Sequence, residues 1–163
     1  MTGALAIREK HDGALADRSS VRVWLRLLSC TMAIEKDVQR RFAGRGATLA
    51  RFDVLAALDR ERAGMTMGAL SRALLVSNGN VTQLVQKLAR DCLVRIAPSP
   101  ADKRASIVRL TARGRAEFAG LAAAHHDWIE RLVGGMDGEA REKLYHALGE
   151  LKQSIAKGQQ LEP

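Results

Sequence analysis

Between Val21 and Phe42 the apolar residues Trp24, Leu27, Leu28, Ile34 and Val38 recur at broadly helical spacing until Gly44 and Gly46 interrupt it, which predicts a first long helix. Thr48 caps a second segment in which Phe52, Leu55 and Leu58 share a face, ending near Gly64. Thr66 caps a third, short helix with Leu70 and Leu74 inward. Ser77 caps a fourth, in which Val81, Leu84, Val85 and Leu88 fall at i, i+3, i+4 and i+7. Only Leu75 and Val76 separate these last segments, and two short amphipathic helices joined so tightly read as a helix-turn-helix.

The period then changes. Leu93 to Ala97 is short and β-prone, Pro98 to Arg104 is a turn-rich, basic tip, and Ser106 to Leu110 returns as a second strand. A hairpin placed directly after a helix-turn-helix is a wing. Thr111 caps a long helix carrying Phe118, Leu121, His125, Trp128 and Leu132, broken near Gly134 and Gly135. In the last helix Leu144, Leu148, Leu151 and Ile155 form a narrow apolar stripe of the kind that packs on a partner helix. Residues before about position 18 lack a sustained apolar period and read as a loose arm. The expected fold class is mainly α with a small β-hairpin.

Composition narrows the function classes. A chain of 163 residues with formal charge +8 and pI near 10.2 suits one folding unit and a polyanionic partner, since each cation placed on a phosphate releases counterions. A basic bias that only keeps the protein soluble is the alternative. Cys30 and Cys92 are isolated thiols, so neither a disulfide framework nor a zinc site is indicated. Neither a signal-peptide-like start nor a run of roughly 20 apolar residues is present, and the expectation is a soluble, cytoplasmic protein without a membrane partner.

The polar side of the fourth helix displays Asn78, Asn80, Thr82, Gln83, Gln86, Lys87 and Arg90, side chains that hydrogen-bond base edges and phosphates. Asn78, Gly79 and Asn80 are poor helix formers, each costing up to about 1 kcal/mol against Ala, so close approach to double-stranded DNA explains them better than helix stability does. The competing reading is ordinary capping with a solvated face. In the DNA reading, Asn78, Asn80, Thr82 and Gln83 meet bases, while Ser77, Gln86, Lys87 and Arg90 meet phosphates. Lys103 and Arg104, with Asp102 bracing Arg104, would enter a minor groove from the hairpin tip.

Other chemistry is weak. His125 and His126 are adjacent on a helix and point apart, so no two-ligand metal face forms. Cys30, among Leu28, Met32 and Ile34, reads as a buried inert thiol, with a peroxide-sensing one as the alternative. No phosphate-binding Gly-rich loop or activated nucleophile is found, so the expectation is no enzyme and no cofactor.

From about Val21 to Ile155 the chain resembles the MarR family. The residues that carry the resemblance are Phe52-Asp53-Val54-Leu55, Thr66-Met67-Gly68-Ala69-Leu70-Ser71, Val76-Ser77-Asn78-Gly79-Asn80-Val81-Thr82, Asp102-Lys103-Arg104 and Leu110-Thr111-Ala112-Arg113-Gly114. The resemblance implies a homodimer that reads a palindromic operator, most often as a repressor. The layout is then an N-terminal arm at 1–20, a helical dimerisation region at 21–47 and 112–163, and a winged helix-turn-helix lobe at 48–111. Asp91-Cys92 departs from the acidic residue and Gly that usually end the family's recognition helix, which puts that helix end in question.

Met67-Gly68, the Val76 to Thr82 run and His126-Asp127-Trp128-Ile129 are similar to a subgroup controlling breakdown of hydroxycinnamates and benzoates, whose members often answer to an aromatic acyl-CoA thioester. For such a ligand Arg22, Arg26, Arg40 and Arg41, with Arg45, offer cations, and Trp24, Leu28, Phe52 and Trp128 offer an apolar slot. Dimer core and solvated surface account for the same residues equally well. A ligand wedged between stem and lobe would favour another lobe spacing. Two further readings stay open: a repressor switched by the Cys30 thiol, and a winged-helix module that binds protein.

Overall fold

Residues 19–99 and 105–160 are described by the computed structural model, with the backbone alone at Asn78 and Gln160. The long apolar period at the start becomes helix α1, Ser19–Ala43. Gly46, at φ +67°, supplies the left-handed residue that turns the chain into α2, Leu49–Arg60. The Thr48 hydroxyl accepts from the Arg51 N–H and caps α2 as its sequence position requires. The helix stops at Arg60, earlier than the expected end near Gly64, because residues 61–64 form a turn in which the Gly64 N–H donates to the Glu61 carbonyl.

A two-residue strand β1, Met65–Thr66, follows and was not expected. Thr66 ends that strand and caps α3, Met67–Leu74, by accepting from the Ala69 N–H. Helix α4 runs Asn78–Arg90, strand β2 Val94–Pro98, and strand β3 Ser106–Leu110. The sheet order is β1-β3-β2, antiparallel throughout, with Val94 opposite Leu110 and Met65 opposite Val108. Helices α5, Ala112–Val133, and α6, Gly138–Gln160, complete the described chain.

The chain divides into two compact units, one up to His125 and one from His126 onward. In the first, Val54, Leu55 and Leu58 of α2, Leu70 of α3, Val81, Val85 and Leu88 of α4, and Val108 of β3 are almost wholly excluded from solvent. That core fixes α4 by its apolar stripe and leaves the opposite stripe facing out. In the second unit Trp128 is buried, while Leu144, Tyr145 and Ile155 of α6 are exposed and Leu148 and Leu151 half-buried. Among the described residues no helix is long and apolar enough to cross a membrane.

The doubtful end of α4 closes conventionally. Cys92 takes the left-handed conformation, φ +58°, its N–H donates to the Ala89 carbonyl, and the Leu93 N–H donates to the Leu88 carbonyl. This is the Schellman pattern that glycine usually completes, here with a Cβ at the strained position. Thr111 locks the junction: its hydroxyl donates to the Cys92 carbonyl at 2.8 Å and accepts from the Gly114 N–H at 2.9 Å. A Cβ on Gly114 would stand 1.9 Å from the Leu93 carbonyl oxygen, so the start of α5 approaches β2 as only glycine permits.

Candidate nucleic-acid interface

Helix α4 turns about 100° per residue. Val81, Val85 and Leu88 therefore fall on one side, where all three are buried, and Asn80, Gln83, Gln86, Lys87 and Arg90 fall on the other, where all five are exposed. Those five side chains line one open groove together with Ala50 at the start of α2. Thr82 lies between the two faces and is half-buried, so it stands off the groove that holds the other polar residues. Asn78 is the first residue of the helix.

The N-terminus of α4 is left uncapped. Ser77 has the extended backbone of an N-cap, φ −66° and ψ 149°, yet its side chain makes no capping bond and stands exposed. The Ser77 side chain thus leaves the first-turn N–H groups of α4 without a cap, and a helix start of that kind suits a phosphate. The turn before it projects Leu75, 92% exposed at φ +55°, with its N–H donating to the Arg72 carbonyl. Lys103 and Arg104, expected at the hairpin tip with Asp102, lie outside the described residues.

Behind the groove, Arg51 holds α4 in place. Its Nη1 donates to Asp91 Oδ2 at 2.8 Å and its Nη2 lies 3.7 Å from Glu117 Oε1, so α2, the end of α4 and α5 share one cation. Sequence spacing gives no sign of this residue, because its partners come from distant elements.

The arginines of α1 expected to hold a ligand fall into two separate pairs. Arg22 and Arg26 line a small cavity with Ser19 and Val23 at the start of α1. Arg40 and Arg41 grip Asp37 from the next turn of the same helix, and that grip, led by the Arg41 hydrogen bond, holds the Asp37 carboxyl below its ordinary value. With a rise of about 1.5 Å per residue, the two arginine pairs stand roughly 20 Å apart along α1. Trp24 is 57% exposed, Leu28 half-buried and Phe52 buried.

Phe52 belongs to an aromatic cluster: its ring centroid lies 5.1 Å from Phe42, 5.7 Å from Phe118 and 4.7 Å from His125, and His125 also stacks on Phe42 at 5.9 Å. Beside it, burial raises the Asp53 carboxyl above its ordinary value, with the His125 charge pulling the other way. Cys30 is exposed in this chain, not buried as its apolar neighbours suggested, because it falls on the open side of α1. Among the described residues no group of His, Cys, Asp or Glu could hold a metal ion.

Residues 45–105 match the model of the MarR family. The chain is 35% identical over 103 residues to the transcriptional activatory protein BadR of Rhodopseudomonas palustris, an alignment covering 62% of this chain and 59% of that protein. It is 25% identical over 141 residues to the HTH-type transcriptional repressor YetL of Bacillus subtilis, covering 86% of this chain and 84% of that one. The fold is similar to that of a MarR family transcriptional regulator from Silicibacter pomeroyi, with TM-score 0.74 at 29% identity over 88% of this chain and 99% of the other. It also resembles a mutant MarR from E. coli complexed with operator DNA, with TM-score 0.72 at 19% identity over 85% of this chain and 98% of the other.

Proposed function

We propose that this chain, MarR-type by its matched segment and its winged-helix fold, is a dimeric transcriptional regulator that acts in the cytoplasm, and not an enzyme. The observation that carries the reading is the groove-lining face of α4: Asn80, Gln83, Gln86, Lys87 and Arg90 exposed together, against a stripe of buried valines and leucine. A major groove admits one such helix. Asn78, Asn80 and Gln83 read bases, Thr82 contributes from the edge of the face, and Ser77, Gln86, Lys87 and Arg90 hold phosphates. Lys103 and Arg104 meet the minor groove. Two copies set two recognition helices about one DNA turn apart, which calls for inverted half-sites. The exposed Leu144 and Ile155, flanking half-buried Leu148 and Leu151, supply an apolar face for the second copy.

The regulated genes serve breakdown of aromatic acids, and the inducer is an aromatic acid or its CoA thioester, hydroxycinnamoyl-CoA among them. The reading rests on the resemblance of Met67-Gly68 and the Val76 to Thr82 run. Arg22 with Arg26 and Arg40 with Arg41 serve as separate anchors for carboxylate and phosphate groups, and Trp24, Leu28, Phe52 and Trp128 supply apolar contacts. The sign of regulation is repression; the name of the Rhodopseudomonas relative favours activation as the second reading.

The test is fluorescence anisotropy of the protein on its own upstream DNA while aromatic acids and their CoA thioesters are titrated in. Release by a thioester and not by its free acid supports the ligand assignment. Tight binding that no such compound disturbs removes it and leaves the DNA reading, and retained induction in a Cys30→Ser, Cys92→Ser protein excludes a thiol switch.

A further inference from the structure

A second cationic feature lies away from the α4 groove. The hairpin register places Arg95 of β2 directly opposite Arg109 of β3, so two guanidinium groups share one face of the sheet. Arg62, from the turn after α2, and Arg115, from the first turns of α5, reach the same cavity of about 130 Å³. Its floor is apolar, formed by the buried Leu58 and Leu110. Asp59 also lines it, but no ion pair joins Asp59 to any of the four arginines, and among the described residues none of the four has a carboxylate partner. Four cations against one anion in so small a space repel one another, and like charges directly opposite on a sheet destabilise it.

Two of the guanidinium groups are held in place by backbone. Arg109 Nε donates to the Ala63 carbonyl at 2.7 Å, and Arg115 Nη1 donates to the Leu110 carbonyl at 3.2 Å. Gly64, at φ +91°, makes room for the first of these: a Cβ there would lie 2.5 Å from the Arg109 side chain. The Arg109 stem therefore crosses a turn that only glycine can form, with its Nη groups left for another acceptor.

We infer that the cavity between Arg62, Arg95, Arg109 and Arg115 is a binding site for a phosphate-type oxyanion. Planar guanidinium groups pair with phosphate oxygens through two parallel hydrogen bonds. The volume is well below the roughly 300 Å³ at which sites for drug-sized ligands begin, so it takes a single anionic group and not an aromatic thioester. The phosphate comes from a free anion or from the DNA backbone beside the wing, and the two sources leave different traces.

The test compares the wild-type protein with Arg62→Gln, Arg95→Gln, whose changes fall on exposed side chains. Thermal unfolding is followed in inorganic phosphate and in chloride of matched ionic strength. For a free anion, phosphate at ten times its Kd raises the wild-type Tm by about 3–6 °C and leaves the double variant unmoved. In phosphate-free buffer the variant is at least as stable as the wild type, since repulsion has been relieved, which also shows that it folds. For a backbone phosphate, the variant's affinity for the upstream DNA falls and its salt slope flattens by about 1 or more, whatever the thermal result. A phosphate effect no larger than that of chloride, together with an unchanged salt slope, overturns the site. The thermal arm needs no DNA, so failure of the regulator reading would not mask its outcome.

Discussion

Arg51 in α2 donates to Asp91 at the end of α4 at 2.8 Å, forty residues further along the chain. The helix that presents Gln83, Lys87 and Arg90 is thereby tied to α2 by a side chain that is itself only 19% exposed. Removing Arg51 leaves Asp91 and Glu117 without their shared cation, but both are about 40% exposed and water screens them. Arg51→Ala is therefore expected to cost about 1–2 kcal/mol, part of it from lost packing of the stem. Urea denaturation checks this, and a double-mutant cycle with Asp91→Asn should give a coupling of about 0.5–1 kcal/mol.

Cys92 carries a Cβ in a left-handed conformation that glycine adopts without cost. Cys92→Gly should stabilise the protein by about 1 kcal/mol, and Cys92→Val should destabilise it by at least as much. Equal unfolding midpoints for all three proteins would contradict the strain assigned to this helix end.

Gly114 allows no such latitude. With a Cβ 1.9 Å from the Leu93 carbonyl, Gly114→Ala must push α5 away from β2 and lose the Thr111 cap, for about 2–3 kcal/mol or more. A Tm within a degree of wild type would show that the junction is looser than its geometry.

Much of the first unit was legible in the sequence, because caps and apolar periods are local. Thr48, Thr66 and Thr111 each accept from the backbone N–H three residues on, and α4 begins directly after Ser77. Strand β1 was not legible: two residues carry no period, and Thr66 reads as a cap whether or not it also pairs with Ile107. The aromatic cluster around Phe52 was not legible for a similar reason. Spacing along one helix shows which face Phe52 is on, but its neighbours Phe42, Phe118 and His125 come from two other helices. The opposed pair Arg95 and Arg109 could have been found, since both stand seven residues from position 102, the midpoint of the hairpin.

Asp53 makes stability depend on pH in a specific direction. Burial raises its carboxyl above the ordinary 3.8, with the His125 charge opposing and Glu35 reinforcing. A group whose folded pKa is raised contributes stability that is present below the unfolded pKa and is lost as pH rises through the folded one. Asp53→Asn should therefore gain on the wild type as pH rises from about 4 toward 7, and the two should converge in acid. Denaturation free energies across that range check it; a gap that widens in acid would contradict the burial.

If the exposed face of α4 holds DNA, the affinity of the wild type and of Lys87→Ala for the protein's upstream DNA will respond differently to salt between about 50 and 200 mM. The wild type should lose affinity steeply, and Lys87→Ala should bind more weakly with a log–log slope shallower by about 1. Binding that ignores salt, or a Lys87→Ala protein with unchanged affinity and slope, would contradict it.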